Sequence, residues 1–158
     1  MVNARTAPPQ PSDSSERATS SATTGSARPF GSINVLVVDD EVALLNLMQR
    51  YLGRIGYQVE ISANSCAALD MIIAEPCRFQ LVVADLGMPQ LSGRELVVRI
   101  GEINPSIAIL VCSGEPFDCE SIPHPDSSRL RFLQKPFAPQ MLANAVSEIL
   151  PFSKAVGA

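Results

Sequence analysis

Asp39, Asp40, Asp85, Ser113 and Lys135 each follow a short, largely apolar run of residues. The acidic pair follows Ile33-Asn34-Val35-Leu36-Val37-Val38, and Asp85 follows Leu81-Val82-Val83-Ala84. Ser113 follows Ile107-Ala108-Ile109-Leu110-Val111-Cys112, and Lys135 follows Leu130-Arg131-Phe132-Leu133-Gln134. If these runs are parallel strands of one open sheet, their carboxyl ends border a shared crevice, the place where such sheets bind ligands. Clustered carboxylates there offer hard oxygen donors to a divalent cation such as Mg²⁺. A carboxylate can also attack phosphorus and form an acyl phosphate, provided that positive charge screens the approach of two anions. These residue types in this order predict a site for a divalent cation and a phosphoryl group.

The elements that must position them follow from the apolar pattern. Short apolar runs alternate with stretches of helical periodicity from Ile33 onward, which is the signature of βαβ units and a parallel sheet. Strands are expected at about 34–38, 58–62, 79–84, 108–112 and 131–133. The first helix carries Val42, Leu45, Met48 and Leu52 on one face and ends near Gly53 or Gly56. Asn64 can cap a second helix carrying Ala68, Leu69, Ile72 and Ile73, which Pro76 helps to stop. A third helix spans about 93–103 with Leu96, Val97 and Ile100 inward. The last runs from Pro139, well suited to a first helical position, to about Leu150, although Ala138 is a poor cap.

One connection breaks the alternation. Between Ser113 and Arg131 the chain reads Glu115-Pro116-Phe117-Asp118-Cys119-Glu120-Ser121-Ile122-Pro123-His124-Pro125-Asp126. Pro123 and Pro125 lack amide donors and disfavour helical backbone at Ile122 and His124. A single turn between Pro116 and Ile122 is the most helix this segment admits. His124, set between prolines with no nucleophile in a recognisable motif, reads as a loop residue.

Three stretches divide the chain: a leader at 1–31, a domain at 32–150 and a short tail at 151–158. The leader is rich in Ser, Thr, Ala and Pro and poor in large apolar side chains, so it reads as disordered. No further domain is expected after Leu150. The 158 residues suffice for one domain with a real core. A net charge of −4 and the lack of a basic stripe argue against nucleic acid as a direct partner. No apolar stretch approaches the ~18 residues of a membrane span, and the N-terminus lacks the apolar centre of a secretion signal. Cys66, Cys77, Cys112 and Cys119 form no Cys-x-x-Cys pair and are expected as buried free thiols in a reducing compartment. A cytoplasmic protein is the expectation.

The motifs together resemble a known family. An acidic pair (Asp39-Asp40), an Asp-x-x-Met-Pro motif (Asp85-Leu86-Gly87-Met88-Pro89) with Gly93 beyond it, Ser113, and Lys135-Pro136-Phe137 occur in that order. This is similar to the receiver domain of two-component response regulators, of the single-domain type, over about 32–150. The resemblance implies a flavodoxin-like, doubly wound α/β fold with five parallel strands in the order 2-1-3-4-5, here with the fourth helix absent or shortened. It implies Asp85 as phosphoacceptor, with Ser113 and Lys135 contacting the phosphoryl group. Mg²⁺ would be held by Asp40, Asp85 and the Gly87 carbonyl, with Asp39 acting through water. Phe132 matches a switch position that responds when Ser113 moves, while plain strand packing accounts for it equally well. Gly87 and Glu115 occupy positions that tune the lifetime of the acyl phosphate. A cis Lys135–Pro136 bond is also implied.

Implied partners are a histidine kinase or histidine phosphotransfer protein upstream and a protein target downstream, with no membrane contact. The chain would be a signalling switch, its chemistry confined to its own phosphotransfer and dephosphorylation. Two other classes fit less well. A haloacid-dehalogenase-type phosphatase also uses an Asp nucleophile with Mg²⁺, but needs a second Asp where Gly87 stands. A flavin-binding flavodoxin needs a phosphate-cradling loop after the first strand, where Asp39-Asp40-Glu41 would repel phosphate.

Overall fold

The computed structural model describes residues 32–150; the expected leader and tail lie outside the described residues. Five strands, β1 (Asn34–Val38), β2 (Gln58–Ser62), β3 (Leu81–Asp85), β4 (Ala108–Ser113) and β5 (Leu130–Gln134), form one parallel sheet in the order β2-β1-β3-β4-β5. Four α-helices, α1 (Val42–Arg54), α2 (Ser65–Ala74), α3 (Gly93–Ile103) and α4 (Pro139–Ile149), cover it. Two faces need covering because successive side chains of a strand point to opposite sides. This is why the inner strands β1, β3 and β4 are apolar along almost their whole length, while the edge strands β2 and β5 carry polar residues. Val35, Val37, Leu81, Val83 and Leu110 pack against Leu45, Met48 and Leu52 of α1 and Leu142 and Val146 of α4. On the other face Leu36, Val38, Val82, Ile109 and Val111 meet Ala68 and Ile72 of α2 and Leu96, Val97 and Ile100 of α3. Each fully buried aliphatic side chain contributes roughly 1.5–3 kcal/mol.

The helix starts follow the local sequence. Asn64 Oδ1 accepts from Ala67 N at 3.0 Å to begin α2, and Ser92 Oγ accepts from Glu95 N at 3.2 Å to begin α3. Ala138 makes no side-chain cap, and Pro139 opens α4 in its place. Among the described residues no helix is long and apolar enough to cross a membrane.

Several expectations need correction. β3 begins at Leu81 instead of Phe79 and includes Asp85, because the ladder to β4 extends to the pair Asp85–Cys112. β4 likewise ends on Ser113, paired with Gln134. Val42 was expected inward but is 57% exposed, since the first turn of α1 starts at the carboxyl edge of the sheet, ahead of the strands' apolar residues. Ile73 is also exposed: the inward stripe of α2 is Ala68 and Ile72, and the next residue is turned about 100° away. The thiols divide. Cys112 alone is buried, Cys119 is half-buried, and Cys66 at the start of α2 and Cys77 in the turn before β3 are exposed.

The proline-rich connection behaves as its sequence requires. Residues 114–129 hold only two three-residue 3₁₀ turns, Cys119–Ser121 and Ser127–Arg129. Asp118 and Asp126 begin them by accepting from the amides of Glu120 and Ser128. Ile122 is buried in the space over the sheet, and the His124 ring lies against Gly101 of α3. This strap takes the place of a helix between β4 and β5.

Candidate functional site

Strand ends bring the acidic and basic groups together. Asp39 lies just past β1, and its Oδ1 accepts from Glu41 N at 2.9 Å. Its Oδ2 meets Lys135 Nζ at 2.6 Å, across 96 residues of chain. Lys135 Nζ also lies 3.0 Å from Asp85 Oδ1, while Asp85 Oδ2 accepts from Gly87 N at 3.0 Å. Both oxygens of Asp85 are thus engaged, which fixes the orientation of its carboxylate. Asp39 and Asp85 are buried and Asp40 is exposed, so the crevice opens to solvent on the Asp40 side. Burial pulls the Lys135 ammonium toward a lower pKa, but hydrogen bonds and charge from Asp39 and Asp85 outweigh it and raise the value above 10.5.

The three carboxylates fit a small hard cation. Asp39, Asp40 and Asp85 can each offer one oxygen, all within 4.8 Å of one another. Octahedral Mg²⁺ spaces its ligand oxygens about 3 Å apart for neighbours and about 4 Å across the ion, so small side-chain rotations would suffice. One ammonium against three carboxylates leaves negative charge for a divalent cation to balance. Gly87 is exposed in the turn beside Asp85, and a Cβ there would lie 3.3 Å from Asp85 Oδ2, so its backbone borders the same crevice.

Ser113 sits at the end of β4, half-buried, and its main-chain carbonyl accepts from Lys135 N at 2.7 Å. Glu115 N donates to Ser113 Oγ at 3.1 Å, which occupies a lone pair and leaves the hydroxyl hydrogen available to an acceptor in the crevice. Glu115 is exposed. Phe132 is half-buried on β5, its ring centroid 6.1 Å from that of Phe117 in the strap at a tilt of 47°, a favourable aromatic arrangement. The Lys135–Pro136 peptide is cis. Next to the crevice, burial pushes the Cys112 thiol up to about 12.

Three features here were not drawn from the sequence. Gly93 was part of the motif, but its reason is tertiary: a Cβ there would lie 2.1 Å from the Asp85 carbonyl oxygen and 2.6 Å from Leu86 Cα. Gln90 adopts φ +71°, a left-handed conformation in the turn between Asp85 and α3. Ser65 is buried at 1% exposure, and its hydroxyl donates to Leu91 O at 2.7 Å. A serine following an N-cap asparagine carries no signal of such a contact.

The response regulator receiver domain family model matches residues 35–147, and the chain belongs to that family. It is 32% identical over 123 residues to response regulator MprA of Mycobacterium tuberculosis (strain ATCC 25618 / H37Rv), covering 78% of this chain and 53% of MprA. It is 32% identical over 120 residues to sensor kinase CckA of Brucella abortus (strain 2308), covering 76% of this chain and 13% of that kinase. The chain therefore spans about half of one relative and a small part of the other. A response regulator receiver protein from Sinorhizobium medicae WSM419 superposes with a TM-score of 0.68 at 27% identity, covering 77% of this chain and 97% of that one. The Vibrio cholerae chemotaxis protein CheY4 gives 0.65 at 25% identity, covering 75% and 99%. The flavodoxin-like receiver fold expected from the motifs is the fold observed.

Proposed function

We propose that this receiver domain is a phosphorylation switch that takes a phosphoryl group on Asp85. The observation that carries the reading is the Asp85 carboxylate, held by Lys135 and the Gly87 amide beside Asp39 and Asp40. A phosphohistidine of a histidine kinase or histidine phosphotransfer protein is the donor, and relationship to a response regulator and a sensor kinase supports that class of partner. An Asp85 oxygen forms the new O–P bond as the N–P bond of the donor breaks, and the departing imidazole takes the electron pair and a proton from solvent. Mg²⁺, when bound, supplies charge neutralisation between the carboxylate and the phosphoryl oxygens. Asp40, Asp85 and the Gly87 carbonyl would hold it, with Asp39 acting through water.

Lys135 then exchanges its contact with Asp85 for a phosphoryl oxygen, a role that suits a compact ammonium on a flexible stem. Ser113 donates its free hydroxyl hydrogen to another. Movement of Ser113 would disturb Glu115 N and the Phe117–Phe132 pair, making Phe132 and the strap the elements that a downstream protein reads. Gly87 and Glu115 set access of water to the acyl phosphate. The domain works as a cytoplasmic signalling switch, turning over only its own phosphoryl group. Acetyl phosphate with Mg²⁺ should add one acid-stable, base-labile phosphoryl group, and Asp85→Asn should abolish it. Undiminished labelling of that variant overturns the assignment.

A further inference from the structure

The turn between Asp85 and α3 must satisfy two demands. It presents Gly87, which has no side chain to anchor it, and it passes through Gln90 at φ +71°, where a residue with a Cβ is strained. Its two ends are fixed. Leu86 N donates to Cys112 O at 3.0 Å, and Gly93 is seated without clearance on the Asp85 carbonyl. The middle is held from outside, by the first residues of α2. Ser65 Oγ, buried, donates to Leu91 O at 2.7 Å, and Asn64 Nδ2 donates to Gln90 Oε1 at 3.0 Å. Asn64 Oδ1 meanwhile caps α2 through Ala67 N, so the clamp and the helix start share one residue.

We propose that Ser65 is a positioning residue for the cation site: its buried hydroxyl, through Leu91, holds the 86–92 turn so that the Gly87 carbonyl stays in place as a ligand. The inference rests on the cation-dependent reading of the site given above. Mg²⁺ tolerates little departure from octahedral geometry, so a turn free to rock loses affinity before it loses structure. Removing the hydroxyl also leaves the Leu91 carbonyl without its partner, and the turn can then relax the strain at Gln90 by moving. Supports of this kind around metal ligands typically change affinity about 10–100-fold.

The test is Mg²⁺ titration of the full chain by calorimetry, with thermal melts in chelator. Ser65→Ala should weaken Mg²⁺ binding about tenfold, at the lower end of that range. Ile72→Val, in the same helix and fully buried, supplies a comparison that loses stability without touching the turn, and its Mg²⁺ affinity should stay at the parent value. Equal affinity in Ser65→Ala and the parent overturns the inference, and so does an equal loss in Ile72→Val. Should Ser65→Ala fail to fold, Ser65→Gly and Ser65→Cys give the same comparison. Failure of the underlying reading looks different: the parent itself would not bind Mg²⁺, or Asp40→Ala would bind it like the parent.

Discussion

The turn after β3 and the strap after β4 both connect a strand to the next element, yet they are held by different means. The two ends of residues 86–92 are fixed by main-chain contact at close range, Leu86 N to Cys112 O and Gly93 against the Asp85 carbonyl, with Gly87 N on Asp85 Oδ2 and the Ser65 and Asn64 side chains holding what lies between. Residues 114–129 are held mostly by side chains: Ile122 in the core, Phe117 on Phe132, and Arg94 of α3 donating to the carbonyl and hydroxyl of Ser121. Backbone contacts cannot yield, whereas side chains can change rotamer. The difference teaches where this domain is rigid and where it can respond. The crevice needs fixed donors, and the strap, joined to them through Glu115 N on Ser113 Oγ, can yield beyond that point.

Glycine replacements break the comparison most directly. Gly93→Ala forces a methyl into main-chain atoms, and a loss of about 3 kcal/mol or more, or failure to fold, is expected in denaturant unfolding. Ile122→Ala should cost less, about 2 kcal/mol, at the low end for a buried large-to-small change because the strap can settle into the space. Hydrogen exchange in that variant should quicken across 115–128 while β1 and β3 keep the parent's protection. Exchange that quickens evenly across the sheet would show that the strap is integral to the core.

Gly101→Ala should be nearly neutral. Its methyl would lie 2.9 Å from His124 Cδ2 and 3.1 Å from Pro125 Cδ, atoms of the strap's side chains. Alanine in a helix interior gains about 1 kcal/mol over glycine, which offsets the displacement. A loss matching that of Gly93→Ala would refute a yielding strap.

Titration sharpens the same contrast. Cys112 is raised from 9.0 to about 12 by burial, so its thiol stays protonated in the fold while the unfolded chain ionises. Stability should therefore fall as pH climbs from 9 to about 12. Lys135, raised above 10.5, contributes stability that is complete below that value and is lost as pH rises through the folded one, adding to the upper part of the same window. Cys112→Val should flatten the part of the curve that begins near 9. In thiol labelling without denaturant, Cys66 and Cys77 should react first, and Cys112 only on unfolding.

Much of this was legible in the chain. Apolar runs ending in Asp39, Asp85, Ser113 and Lys135 determined the strands and predicted the crevice, because a two-sided sheet demands continuous apolar strands and ligands gather beyond their carboxyl ends. The two X-Pro steps at 123 and 125 ruled out a helix there by covalent geometry alone. Such signals are local and need no knowledge of distant neighbours. Only the folded chain decided that Ser65 reaches Leu91, that Gly93 has no room for a methyl, that Asp39 holds Lys135, and that two of the four thiols face solvent. Each of these depends on which atom of a remote segment lies within a few ångströms, and residue type and periodicity carry no such distance.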